Sequence, residues 1–191
     1  MTTFNFEDGN GPVPAHQHSN GGGWVEDTAY VDVAAYIGPD ARVTGNACVY
    51  GNAEVSDNAW VSGNARVSGD ARVYDSAWVT GDARVYGDAR VSGNARVYDN
   101  AQVSGNARVY DNAQVYGYAR VYGNAKIAGN AWVTGYARIA GDPQVFDNAL
   151  VYGDARVFGN AWVSGDVEDD DTSEDIFIEM NGKRYKLVEV A

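Results

Sequence analysis

Val85-Tyr86-Gly87-Asp88-Ala89-Arg90 is one unit of a six-residue pattern that governs most of this chain. Every sixth residue from Val25 to Val163 is Val or Ile, in one phase and with no insertion. Four residues after each of these stands Ala, except at Pro143 and Val167. The intervening pair is most often Gly or Asp followed by Asn or Asp. Self-similarity at a fixed short period is the signature of a repeat architecture. In Ala-Arg-Val-Tyr, side chains alternate across a short strand, so Ala and Val face one way and Arg and Tyr the other. Gly-Asn or Gly-Asp then supplies a sharp corner, because Gly and Asn tolerate positive φ. A helix is excluded. A period of six places the Val column on no single helical face, and a Gly in each turn would cost about 1 kcal/mol.

One such unit cannot bury its own apolar side, but units stacked turn upon turn can. The expected fold is therefore an all-β solenoid over residues 25–168. It is preceded by a cap segment, 1–24, and followed by an acidic linker, 169–175, and a C-terminal β-hairpin, 176–191. Asn181-Gly182 between two strand-like runs is a strong hairpin signal. It sets Glu179 opposite Arg184 and puts Ile176, Ile178, Met180, Tyr185 and Leu187 on one face.

The charge distribution agrees with this division. Of the net charge of −12, residues 1–24 carry −2, residues 25–166 carry −5 and residues 167–191 carry −5. The acidity gathers at Glu168-Asp169-Asp170-Asp171, and the long middle is nearly balanced. The net charge of −12 argues against nucleic acid as a partner. A single cysteine, Cys48, excludes an internal disulfide framework and a Cys-based zinc site. No apolar run is long enough to insert into a membrane. The opening Met1-Thr2-Thr3-Phe4 has neither the basic start nor the apolar stretch of a secretory signal, so a cytoplasmic or virion-associated location is expected.

The hexads, together with the entry Gly22-Gly23-Trp24-Val25-Glu26, resemble bacterial hexapeptide-repeat proteins. They are most similar to the YdcK-type β-solenoid repeat family, whose units also read Val-Tyr-Gly-Asn-Ala-Arg. The resemblance covers residues 22–168. It implies a triangular, left-handed parallel β-helix with three hexads per coil, hence eight coils of 18 residues. The general preference for right-handed crossovers would give the other hand. Eight coils at ~4.8 Å each make a prism about 38 Å long, with a core too narrow for a ligand. Repeats of this type also occur in phage-derived proteins, which makes a particle or fibre a candidate setting.

With 18 residues per coil, the residue before each Val or Ile falls in one of three outward columns. The first column is Trp24, Arg42, Trp60, Trp78, Arg96, Gln114, Trp132 and Leu150. The second is Tyr30, Cys48, Arg66, Arg84, Gln102, Arg120, Arg138 and Arg156, nearly an arginine ladder. The third is Tyr36, Glu54, Arg72, Arg90, Arg108, Lys126, Gln144 and Trp162. Trp60, Trp78 and Trp132 suit stacking on sugar rings or packing on another subunit. Arg66, Arg84, Arg120, Arg138 and Arg156 suit a polyanion such as an acidic glycan. The plainer readings are that outward Trp and Tyr stack along the strands and protect the sheet, and that the arginine ladder is a self-compensated solvated surface.

Hexapeptide-repeat relatives include acyltransferases, which typically use a histidine base and a loop leaving the coil, and carbonic anhydrases with three histidine ligands. Here no histidine follows Trp24, and the hexads run without a break. His16 and His18 stand two apart and read as part of a polar cap rather than as metal ligands. Asp57, Asp75, Asp111 and Asp147 recur at one corner and read as turn formers rather than a calcium site. The expectation is a non-enzymatic structural or binding rod with no cofactor and no metal. A carbohydrate-binding rod and a degenerate trimeric acyltransferase are the alternatives. A homotrimer, a larger assembly and a glycan are the candidate partners.

Overall fold

The computed structural model describes residues 2–164 and the backbone of the strands Ile176–Met180 and Lys183–Leu187. The acidic linker, the Asn181-Gly182 turn and the side-chain face of the terminal hairpin lie outside the described residues.

The hexads form three parallel sheets of 10, 8 and 10 strands. Most strands are two residues long, such as Arg90–Val91, and some extend to four, such as Arg84–Gly87. Residues 18 apart pair in register on every face, for example Val25 with Val43, Val67 with Val85 and Val73 with Val91. This is the expected solenoid, with three strands and three corners per coil. Among the described residues there is no helix, and so none long and apolar enough to cross a membrane.

The inward positions carry the core. From Ala35 to Val163 the Val, Ile and Ala columns are almost wholly removed from solvent. Two inward side chains per hexad, one branched and one small, fill a triangular interior without a polar group. Each buried Val contributes about 1.5–3 kcal/mol relative to exposure, and the whole column does so only because coils above and below close over it. Pro143 takes an Ala position and is also buried. The N–H it lacks is elsewhere spent on a long bond, such as Ala131 N to Ala128 O at 3.3 Å, so little is lost.

Backbone bonds run along the rod. The N–H of Trp60 donates to Ala77 O at 3.0 Å and that of Ser62 to Val79 O at 2.9 Å, and the same offsets repeat coil after coil. At the corners, side chains continue the ladder. Asn94, Asn112 and Asn130 each donate Nδ2–H to Oδ1 of the next Asn, ending at Asn148, at 3.1 Å each. Asp57, Asp75, Asp99, Asp111 and Asp147 adopt positive φ, between 53° and 59°. The carboxylates of Asp57, Asp75, Asp99 and Asp111 accept the backbone N–H of Asp75, Gly93, Gly117 and Gly129 in the following coil, at 3.0–3.2 Å. Those bonds offset the cost of the left-handed backbone and explain why Asp recurs there.

Both ends carry antiparallel strands. Thr3–Asn5 pairs with Pro12–Gln17, which pairs with Trp24–Glu26 and so extends the first sheet. Residues 18–23 cross the edge of the third sheet, where Gly23 N donates to Ile37 O and Ile37 N to Asn20 O, both at 3.0 Å. At the far end, Ile176–Met180 pairs antiparallel with Trp162–Val163 through Trp162 and Glu179. Lys183–Leu187 then pairs with Ile176–Met180, with Glu179 opposite Arg184 as expected. The hairpin therefore adds to the last coil of its own chain. Antiparallel additions of this kind occupy edges that would otherwise recruit other strands.

Corner sterics give a direct test. Gly135 has φ +68°, and a Cβ there would lie 2.7 Å from Gly153 N. Gly51 has φ +65°, and such a Cβ would come no nearer than 3.4 Å, to Gly69 O, an ordinary contact. Gly51→Ala should cost only the backbone strain, about 1–2 kcal/mol, whereas Gly135→Ala adds the clash. Thermal unfolding followed by circular dichroism should show the larger drop for Gly135→Ala. Equal drops would mean that the stacked corner yields freely.

Candidate functional site

Two outward faces carry the residues singled out from sequence, and the coil register builds both. On the first face, Trp60 and Trp78 are directly paired across adjacent coils. Their rings meet edge to face, 5.3 Å apart at 66°, rather than forming a level platform. Arg42 lies over the Trp60 ring at 5.9 Å and Arg96 over the Trp78 ring at 5.2 Å. Trp60 Nε1–H donates to Thr44 Oγ1 at 3.0 Å. Trp132 stands three coils beyond Trp78, edge to face with Tyr116 at 6.3 Å. Trp78 and Trp132 remain 42% and 46% exposed. The structure thus joins Trp60 with Trp78 but leaves Trp132 in a separate group.

The N-terminal hairpin closes one end of this face. Phe4 stacks on Trp24 at 4.4 Å, and Phe6 is fully buried beside Phe4. Arg42 donates Nη1–H to Phe6 O at 2.8 Å and reaches Glu7 at 3.2 Å. The edge-to-face and cation–π contacts are each worth roughly 0.5–1.5 kcal/mol. The column therefore satisfies itself along much of its length.

The second face brings its arginines into one column. Arg66 pairs with Arg84, Arg84 with Gln102, Gln102 with Arg120, Arg120 with Arg138, and Arg138 with Arg156. Among the described residues the ion pairs are His16–Asp27, Arg42–Glu7 and Arg72–Glu54, none of which involves this column. The corner aspartates Asp70 and Asp142 accept Nδ2–H bonds from Asn52 and Asn124. A cavity of about 260 Å³ opens on this face, lined by Tyr86, Gln102, Ser104, Arg120, Val121, Tyr122 and Arg138. The sequence reading missed it, because it depends on the residues after each Val, Tyr86, Ser104 and Tyr122, as well as on those before.

The two histidines serve the cap. His16 Nδ1 bonds the Asp27 carboxylate at 2.8 Å, and buried His18 places Nε2 3.0 Å from Ala35 O. They engage different partners and do not converge on a common point.

Comparison with known proteins gives one family. The model described as the YdcK β-solenoid repeat matches residues 65–81, 80–93, 83–99, 101–117 and 151–165. No curated protein matches the chain.

Tyr98 offers a check on face packing. Its hydroxyl donates to Gln114 Oε1 at 3.2 Å, and its ring stacks on Tyr116. Burial raises its pKa above the ordinary tyrosine value, the nearby Tyr116 and Asp99 add to the rise, and Arg96 opposes it. The folded chain thus holds this proton to higher pH than the unfolded chain does. The associated stability is complete below about pH 10 and is lost as pH rises through the raised folded value. Tyr98→Phe should flatten the alkaline fall in stability, measured by urea unfolding between about pH 9 and about pH 11. Identical slopes for the two proteins would show that Tyr98 ionises no later in the fold than out of it.

Proposed function

We propose that this chain of YdcK-type β-solenoid repeats is a rigid, non-enzymatic rod that acts as a structural or binding module. The observation that carries the reading is the uninterrupted coil. From Val25 to Val163 no residue is inserted, and the inward positions are filled by Val, Ile and Ala with a single Pro. Catalysis of acyl transfer or hydration needs a positioned base or metal beside a substrate pocket. Both histidines are instead committed to the N-terminal cap. What such a rod offers is geometry: outward side chains held at fixed intervals of one coil on flat faces, already ordered before a ligand arrives. Preorganised display of this kind lowers the entropic cost of binding a repeating partner.

The exposed Trp78 and Trp132 also favour packing against a second copy, as aromatic residues do at interfaces. Light scattering over a hundredfold concentration range, combined with titration of acetyl-CoA, tests the reading. Scattering from an elongated particle with no acetyl-CoA binding at millimolar concentration is the expected result, at constant mass for a free-standing rod and at a mass that rises with concentration where the Trp face packs on a second copy. A stable trimer that binds acetyl-CoA would replace it with the acyltransferase alternative.

A further inference from the structure

The outward residue that follows each Val or Ile alternates in size along the arginine face. It runs Tyr50, Ser68, Tyr86, Ser104, Tyr122, Ala140, Phe158, so a ring recurs every second coil, 36 residues apart. The third face alternates in the same way through Tyr74, Ser92, Tyr110, Ala128 and Phe146. The first face does not, since Tyr98 and Tyr116 occupy consecutive coils.

Consecutive rings elsewhere on the rod show what such a column does when it is full. Tyr98 and Tyr116 stack with centroids 4.7 Å apart and planes 2° apart. Tyr118 and Tyr136, at a corner, stack at 5.0 Å and 7°. A ring on every second coil leaves roughly 9.6 Å between neighbours, two strand spacings, with the middle member of the stack missing. The 260 Å³ cavity lies at such a place, between Tyr86 and Tyr122 with Ser104 at the intervening coil. Gln102, Arg120, Val121 and Arg138 complete its lining. Tyr86 and Tyr122 are 41% and 38% exposed, so the slot opens to solvent.

We propose that this slot binds the pyranose ring of a uronate unit of an acidic glycan. Its carboxylate lies against Arg120 and Arg138, and its hydroxyls meet Ser104 and Gln102. The proposal rests on the reading of the chain as a binding rod. Each feature of the lining selects part of that chemistry. Two tyrosine rings offer apolar walls to the C–H faces of a sugar. The guanidinium groups of Arg120 and Arg138, which make no ion pair among the described residues, match a planar carboxylate through paired N–H donors. Ser104 and Gln102 favour a hydroxylated ring over a plain aromatic acid, which would strip their water and give nothing back. The net charge of −12 disfavours the phosphate chain of a nucleic acid, whereas a short uronate segment meets only the local arginines.

Isothermal titration of the full chain with trigalacturonate, a neutral trisaccharide and a thymidine oligonucleotide tests the assignment. The expected result is saturable binding of trigalacturonate alone, weakened by salt. Ser104→Tyr fills the gap and completes the tyrosine stack, and should weaken binding at least about tenfold with the melting temperature unchanged or raised. Arg120→Gln should weaken it about tenfold as well, the loss of one charge-assisted pair. Arg66→Gln, on the same ladder but outside the slot, should change it less than about twofold. Equal losses for Arg66→Gln and Arg120→Gln, or wild-type affinity in Ser104→Tyr, would overturn the slot in favour of general attraction to the ladder. Tighter binding of the oligonucleotide, or no binding of trigalacturonate by the wild-type chain, would also overturn it. The rod reading would survive those outcomes, because scattering and acetyl-CoA titration judge it separately.

Discussion

The backbone bonds that run parallel to the rod axis are what the rest of this structure depends on. Within one coil, the short strands have no partners of their own. The N–H of Trp60 or Ser62 is satisfied only by the carbonyl of the residue 17 places on, one coil further. A buried peptide group left unpaired costs a few kcal/mol, so a single coil is not a stable object and a stack is. The same axial spacing fixes everything outside the core. It decides that Trp60 meets Trp78, that Asn94 meets Asn112, and that Arg120 lies beside Arg138.

That constraint also explains the economy of the sequence. The interior admits one branched and one small side chain per hexad, so Val, Ile and Ala recur from Val25 to Val163 with Pro143 as the single exception. The corners demand positive φ, so Gly alternates with Asp, and Asp is tolerated where its carboxylate bonds the next coil's N–H. Only the outward positions are free to vary, and any recognition chemistry must be written there. Two outward columns per face are available, one before and one after each core Val. On the arginine face the first supplies charge and the second supplies alternating rings and gaps.

The ends obey a different logic from the middle. Parallel stacking never terminates itself, since each last coil presents a fresh edge. Antiparallel hairpins at both ends change the strand direction: Thr3–Gln17 on the first sheet and Ile176–Leu187 on the third. The N-terminal one also fastens itself by side chains, with Phe4 on Trp24 and Arg42 holding Phe6 and Glu7. The His16–Asp27 and His18–Ala35 contacts belong to the same fastening.

The sequence by itself determined the period, the inward and outward sides of every hexad strand, the corner positions, and the hairpin register that sets Glu179 against Arg184. Those features are local: alternation, turn chemistry and a fixed repeat need no knowledge of the rest of the chain. The columns Trp60–Trp78 and Arg120–Arg138 followed once a coil was taken as 18 residues, a number that came from resemblance and not from the hexad. Tertiary structure alone decided how those columns pack. Edge-to-face tilt between Trp60 and Trp78, the arginines over their rings, and the docking of Phe4 on Trp24 depend on rotamers chosen in contact. The slot between Tyr86 and Tyr122 is likewise a property of four successive coils, the last supplying Arg138. No hexad contains it, and it exists because a small side chain stands where the ladder's spacing leaves room for a ring.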